Sequence, residues 1–165
     1  MASITFKGSP ASTCGDLPSV GSTAPEFKLV KTDLSEISLA DFAGKKKILN
    51  IFPSLDTPVC ANSVRKFNEE AGKVEGGVII NISADLPFAQ KRFCGAEGIE
   101  TAITSSTFRS SFAKDYGVEL NDSPLAGLCH RAVVVLDADN KVVYTQLVGE
   151  VTEEPDYDKA LAAIR

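Results

Sequence analysis

The segment Thr57-Pro58-Val59-Cys60 combines the residue types in this chain best placed to do chemistry. If Thr57 caps a helix and Pro58 takes its first position, Cys60 falls third, in the first turn. Its N–H then reaches the threonine oxygen, and the partial positive charge of the helix end favours thiolate over thiol at its sulfur. A hydroxyl donates one hydrogen bond and accepts two, so Thr57 can cap the helix and still donate to an oxygen of a bound substrate. This is the setting of a nucleophilic or redox-active sulfur, although these residues do not by themselves name the oxidant. Buried inert cysteine is the ordinary alternative, and the position at a helix start argues against it.

The elements that must hold this segment follow from the hydrophobic pattern. Ile48–Phe52 and Val78–Ile82 are short, nearly continuous apolar runs, as expected of central parallel strands covered on both faces. Pro53–Thr57 thus leaves the carboxyl end of a central strand, where open α/β sheets bind ligands. Between the strands Val64, Phe67, Ala71 and Val74 recur at spacings of three and four, predicting a helix that stops at Gly76-Gly77. A second helix is expected with Asp85 as N-cap and Pro87 in its first turn, burying Leu86, Ala89, Phe93 and Ala96 before Gly98. A shorter third one carries Phe108, Phe112 and Tyr116. Ala132–Leu136 and Val142–Tyr144 flank a polar turn and predict an antiparallel hairpin, and Pro155 opens a last helix with Tyr157, Ala160, Leu161 and Ile164 inward. Ile4–Phe6 begins an N-terminal hairpin, and Phe27–Val30 with Ile37–Leu39 reads as another strand pair. The sum is an α/β sheet covered on both faces, one domain over residues 1–165.

Composition narrows the function classes. Hydrophobic residues at 44% and charged ones at 24% of 165 residues are globular values. With 17 Lys plus Arg against 22 Asp plus Glu, the net charge of −5 argues against a surface built to neutralise nucleic-acid phosphates. The one basic run, Lys45-Lys46-Lys47, is expected to be a solvated strand entry. No apolar run approaches membrane-spanning length, and Met1–Lys7 lacks the basic and apolar regions of a signal peptide. Four cysteines without a CxxC pair fit a reducing compartment such as the cytoplasm, with chemical rather than structural use.

Pro53, Thr57 and Cys60 together form Pro-x-x-x-Thr-x-x-Cys, which resembles the active-site motif of the peroxiredoxins. Ile51–Cys60, Ser83–Gln90, Arg92–Gly98 and Glu154–Tyr157 are similar to segments of the bacterial thiol peroxidase subfamily, and Ile4–Gly8 resembles its N-terminal hairpin. The resemblance implies a thioredoxin-like fold with that added hairpin, a central mixed sheet covered by helices, and a homodimer. It implies reduction of hydrogen peroxide and small alkyl hydroperoxides with electrons from thioredoxin. No cofactor or metal is expected, because thiolate and peroxide supply all the redox chemistry. It also implies roles: Cys60 as the peroxidatic cysteine, Thr57 and Pro53 shaping its pocket, Arg131 stabilising thiolate and peroxide, and Cys94 as the resolving cysteine of an atypical two-cysteine mechanism. If both cysteines sit on packed helices, disulfide formation requires local unfolding, since helix axes lie about 8–10 Å apart and bridged Cα atoms roughly 4.4–6.8 Å.

Cys14 is expected to be a packing residue, and Cys129 adjoins His130 and Arg131. A resolving role for Cys129 and a zinc site from Cys60, Cys94, Cys129 and His130 are the minor alternatives, the zinc site disfavoured because its ligands lack closely spaced pairs. His130 reads as structural or solvated rather than as a general base, since neighbours in a strand face opposite ways. The rival function is a thioredoxin-like dithiol oxidoreductase or binding module, which would normally carry a cysteine where Thr57 stands.

Overall fold

The runs that are apolar along their whole length lie in the middle of the sheet. The computed structural model describes residues 1–71 and 73–165. In chain order the strands are β1 (Ser3–Phe6), β2 (Ser9–Ser12), β3 (Leu29–Lys31), β4 (Glu36–Ile37), β5 (Lys46–Ile51), β6 (Gly77–Ser83), β7 (Ile103–Ser106), β8 (Ala132–Leu136) and β9 (Val142–Leu147). The helices are α1 (Pro58–Ala71), α2 (Pro87–Glu97), α3 (Phe112–Asp115) and α4 (Tyr157–Ile164). Among the described residues, β1 and β2 form a separate hairpin, and the other seven strands form one mixed sheet in the order β4-β3-β7-β6-β5-β8-β9. β5, β6 and β7 are mutually parallel, whereas β8 runs antiparallel to β5 and β9 antiparallel to β8.

Side-chain alternation divides the sheet between two apolar layers. Leu49, Ile51, Ile80, Ile82 and Val134 pack with Phe112 and Tyr116 on one face. Ile48, Ile79, Val133 and Val135 pack with Phe67 and the α4 residues Ala160, Leu161 and Ile164 on the other. Each fully buried Ile, Val or Leu contributes about 1.5–3 kcal/mol of transfer free energy, so this two-sided burial anchors β5, from which the Cys60 segment departs.

Several expectations need correction. α2 is capped by Leu86, not Asp85, and its buried residues are Pro87, Gln90 and Phe93. Leu86 and Ala96 face solvent and Ala89 is only half-buried. Gln90 is drawn inward because its Nε2 donates to the Ser105 carbonyl at 2.8 Å and to Ser83 Oγ at 3.1 Å. α3 is one turn long, and Phe108 lies before it under the Arg109 guanidinium, 5.1 Å from the ring centre. α1 is described over Pro58–Ala71, and Val74 is buried beyond the helix. Strand β7 carries no apolar pattern, because Thr104, Ser105 and Ser106 are polar yet buried. Lys47 is not solvated either: it is fully buried, and its Nζ donates to the Lys45 carbonyl at 2.8 Å and to Asn140 Oδ1 at 2.6 Å.

Candidate active site

Sheet register explains how residues far apart in sequence meet at Cys60. The antiparallel pair of β5 and β8 sets Ile51 opposite Ala132, so Arg131 enters the sheet beside the point where the chain leaves β5 for Pro53. In the parallel pair of β5 and β6, Ile51 lies opposite Ile82, and the Phe52 N–H donates to the Ile82 carbonyl at 3.1 Å. The end of β6 therefore lies against the same loop. Beyond β9, the Val148 N–H donates to the Arg131 carbonyl at 3.2 Å, which draws the segment to Val151 alongside.

Cys60 is the third residue of α1 and is fully buried. Arg131 is 2% exposed; its Nη2 donates to Cys60 Sγ at 3.2 Å and its Nε to the Val151 carbonyl at 3.0 Å. The Val151 bond fixes the plane of the guanidinium. Nη1 is buried with no partner among the described residues, a charged donor available to an incoming oxygen. A cation's N–H directed at sulfur is the arrangement that stabilises a thiolate and, with it, nucleophilic attack.

Pro53, Thr57 and Arg131 line one cavity of about 360 Å³. Its other walls include Phe6 from the N-terminal hairpin, Leu125, Leu128 and Val151, so the space beside the arginine is largely apolar. Thr57 departs from expectation in one respect. Its hydroxyl donates to the Ser54 carbonyl at 3.0 Å rather than capping α1 by accepting from the Cys60 N–H. The helix still receives Pro58 as its first residue, and the Ala61 N–H donates to the Thr57 carbonyl at 3.0 Å.

Cys94 lies on α2, half-buried against the apolar cluster that holds Phe52, Cys60, Val64 and Phe93. Its thiol meets Thr104 Oγ1 at 3.4 Å, and burial raises its pKa against the lowering effect of that bond. Both cysteines are free thiols here. A polar row crosses the sheet between them: Ser63 Oγ donates to the Cys60 carbonyl at 2.8 Å, Asn50 Nδ2 donates to Ser63 Oγ at 3.4 Å and to Asn81 Oδ1 at 2.9 Å, and Asn81 pairs in register with Thr104.

Cys14 is exposed, contrary to its expected packing role. Cys129 is buried, and burial pushes its thiol up to about 12 despite a hydrogen bond with Thr107. The Glu119 segment runs between the two: the Cys14 N–H donates to the Glu119 carbonyl, and Glu119 bridges Cys129 on its other side. Two strand spacings of about 4.8 Å exceed the reach of a disulfide. His130 is fully buried, with Nε2 donating to the Val148 carbonyl, and burial lowers its pKa, so it acts as a neutral structural side chain. Among the described residues, no three His, Cys, Asp or Glu groups are arranged to hold a metal.

Asp85 does not cap α2. Its carboxylate accepts from Ser54 Oγ at 2.8 Å, from the Leu55 N–H at 2.8 Å and from Ser83 Oγ at 2.7 Å. The partners at 54 and 55 are about thirty residues away in the chain, and no local pattern signals them.

A thiol held by a buried arginine at the end of a central strand of such a sheet defines a thioredoxin-fold redox protein. The chain belongs to the redoxin family, whose model matches residues 19–161, and within it to the peroxiredoxins. It is 56% identical to the thiol peroxidase of Mycobacterium bovis over 164 residues, 99% of each chain. It superposes on a peroxiredoxin-like protein from Aquifex aeolicus with a TM-score of 0.94 at 39% identity, covering 99% of this chain and 96% of the other. A thiol peroxidase from Chromobacterium violaceum shares the fold at 24% identity, with a TM-score of 0.89 over 96% of this chain and 93% of that one.

Proposed function

We propose that this chain, acting as one domain over residues 1–165, reduces hydroperoxides through Cys60 and is recycled through Cys94 by thioredoxin. The observation that carries the reading is the 3.2 Å bond from Arg131 to Cys60 Sγ at a cavity shared with Pro53 and Thr57. The Cys60 thiolate attacks the terminal peroxide oxygen, the O–O bond breaks, and the departing alkoxide or hydroxide takes a proton and leaves as an alcohol or water. Arg131 stabilises the charge that develops on that oxygen. Cys60 is left as sulfenic acid; the Cys94 thiol condenses with it to a disulfide and water, and a dithiol reopens the disulfide by exchange.

The largely apolar cavity walls favour small alkyl hydroperoxides alongside hydrogen peroxide. The reductant reading rests on the family resemblance together with the two spaced thiols. A cytoplasmic setting is supported by four free cysteines, and no described helix is long and apolar enough to cross a membrane. A homodimer is supported by two large apolar side chains left in solvent at the start of α2, Leu86 at 53% and Phe88 at 68% exposed. The dithiol oxidoreductase alternative is not favoured, because Thr57 stands where the first cysteine of such a pair would be.

The direct test is hydroperoxide-dependent oxidation of NADPH in the presence of thioredoxin and its reductase. The reading requires turnover by the native chain and none by Cys60→Ser; equal turnover by both would overturn it.

A further inference from the structure

We propose that Asp85 is a positioning residue of the peroxidase reaction, holding the Cys60 loop in its attacking conformation and releasing it when the disulfide forms. The inference rests on the assignment of Cys60 and Cys94 given above. Asp85 lies two residues before α2, the helix that carries Cys94, yet two of its three donors belong to the Cys60 loop. Its hold passes on to the reacting region. Ser54 Oγ donates to Asp85 at 2.8 Å and accepts the Asp56 N–H at 3.2 Å. The Ser54 carbonyl accepts both the Thr57 hydroxyl at 3.0 Å and the Thr57 N–H at 3.2 Å. The orientation of the Thr57 hydroxyl, which shares the cavity with Arg131, is therefore set by Ser54, and that of Ser54 by Asp85.

The same carboxylate opposes the second half of the cycle. Forming the Cys60–Cys94 bond from sulfenic acid and thiol, with loss of water, requires the two segments to move relative to one another. Charge-assisted bonds of 2.7–2.8 Å are among the stronger ones in a protein, and two of these join the loop to the doorstep of α2. The other side-chain hydrogen bond from this loop to α2 in the described residues is the exposed Asp56–Arg92 pair at 3.2 Å, and exposed pairs of this kind contribute little; Leu55 packs with Phe93 in the apolar cluster, a contact that is not directional. Asp85 thus sets a compromise: a firm hold favours peroxide attack, and the same hold delays resolution and lengthens the exposure of the sulfenic acid to a second peroxide.

Acid quench followed by intact-protein mass spectrometry resolves sulfenic acid, disulfide and sulfinic acid over one turnover. In Asp85→Asn, whose amide cannot accept at both positions, sulfenic acid formation should slow by about ten- to a hundredfold, the size expected when a reacting group is misplaced. Disulfide formation should accelerate, and sulfinic acid at high peroxide should fall. Ser54→Ala, which removes one hydroxyl, should move both steps in the same directions by less, and carries the test if Asp85→Asn does not fold. Unchanged rates in both variants, or parallel slowing of both steps with a lowered melting temperature, would overturn the proposal. Absence of a Cys60–Cys94 disulfide in the native chain would instead remove the Cys94 assignment; the positioning role would then stand or fall on sulfenic acid formation in Cys94→Ser with and without Asp85→Asn.

Discussion

Arg131 and Cys60 lie 71 residues apart, and the guanidinium Nη2 reaches the sulfur at 3.2 Å in a buried setting. The contact is built by the antiparallel register of β5 and β8, which leaves the arginine little freedom to point elsewhere.

Replacing Arg131 by Met should therefore slow peroxide attack by about 10²–10³, the range for losing one preorganised donor to a developing oxyanion. Stopped-flow competition against a second peroxidase measures this rate constant. Near-native kinetics would make the arginine a structural residue.

Glu150 gives the protein an acid-sensitive joint between the N-terminal hairpin and the cavity wall. Backbone N–H donors of Thr152 and Gly8 and the hydroxyls of Thr152 and Thr5 hold its carboxyl at about 2. Because the folded value lies below the unfolded one of about 4.3, the stabilisation is fully present above that value and is lost as pH falls through about 2. Hydrogen-exchange protection of β1 and β2 should drop over this window in the native chain and much less in Glu150→Gln. Identical profiles would show that the hairpin does not depend on this carboxylate.

Exposure and burial separate the two cysteines outside the reaction. Iodoacetamide at pH 8 on the folded protein should label Cys14 and spare Cys129, whose thiol is buried and raised to about 12. Peptide mapping reads the outcome, and rapid labelling of Cys129 would contradict the packing described.

Disulfide formation should loosen the first turns of α1 and the end of α2 around Cys94. Cys60 is fully buried, and the Cys94 thiol is turned to Thr104 on β7, so neither side chain is free to reach the other without movement. Gly95 and Gly98 lower the cost of unwinding there. Hydrogen exchange on the reduced and oxidised forms should show lost protection in both segments. Unchanged protection with a confirmed Cys60–Cys94 disulfide would mean that no unfolding is needed.

What the sequence made legible follows from periodicity and register. The apolar runs around Leu49 and Ile80 gave strands at the centre of the sheet, and the position of Cys60 after Pro58 placed it in the first turn of α1. The resemblance carried by Pro53, Thr57 and Cys60 pointed to the family. Several of the differences share one physical cause. Gln90, Lys47, Thr104 and Ser105 are buried with polar partners, and hydrophobic patterning scores such residues as surface. The neighbours of Asp85 in the chain fit a helix cap, whereas its carboxylate is satisfied by Ser54 and Leu55, from the adjacent strand's loop.

The most direct test of the account is a comparison of each single Cys→Ser variant, mixed rapidly with an alkyl hydroperoxide and quenched for sulfenic acid. Cys14→Ser, Cys94→Ser and Cys129→Ser should all oxidise at close to the native rate, and Cys60→Ser should give no fast sulfenic acid. Fast sulfenic acid formation in Cys60→Ser, on any remaining cysteine, would contradict the assignment of the reaction to the thiol held by Arg131.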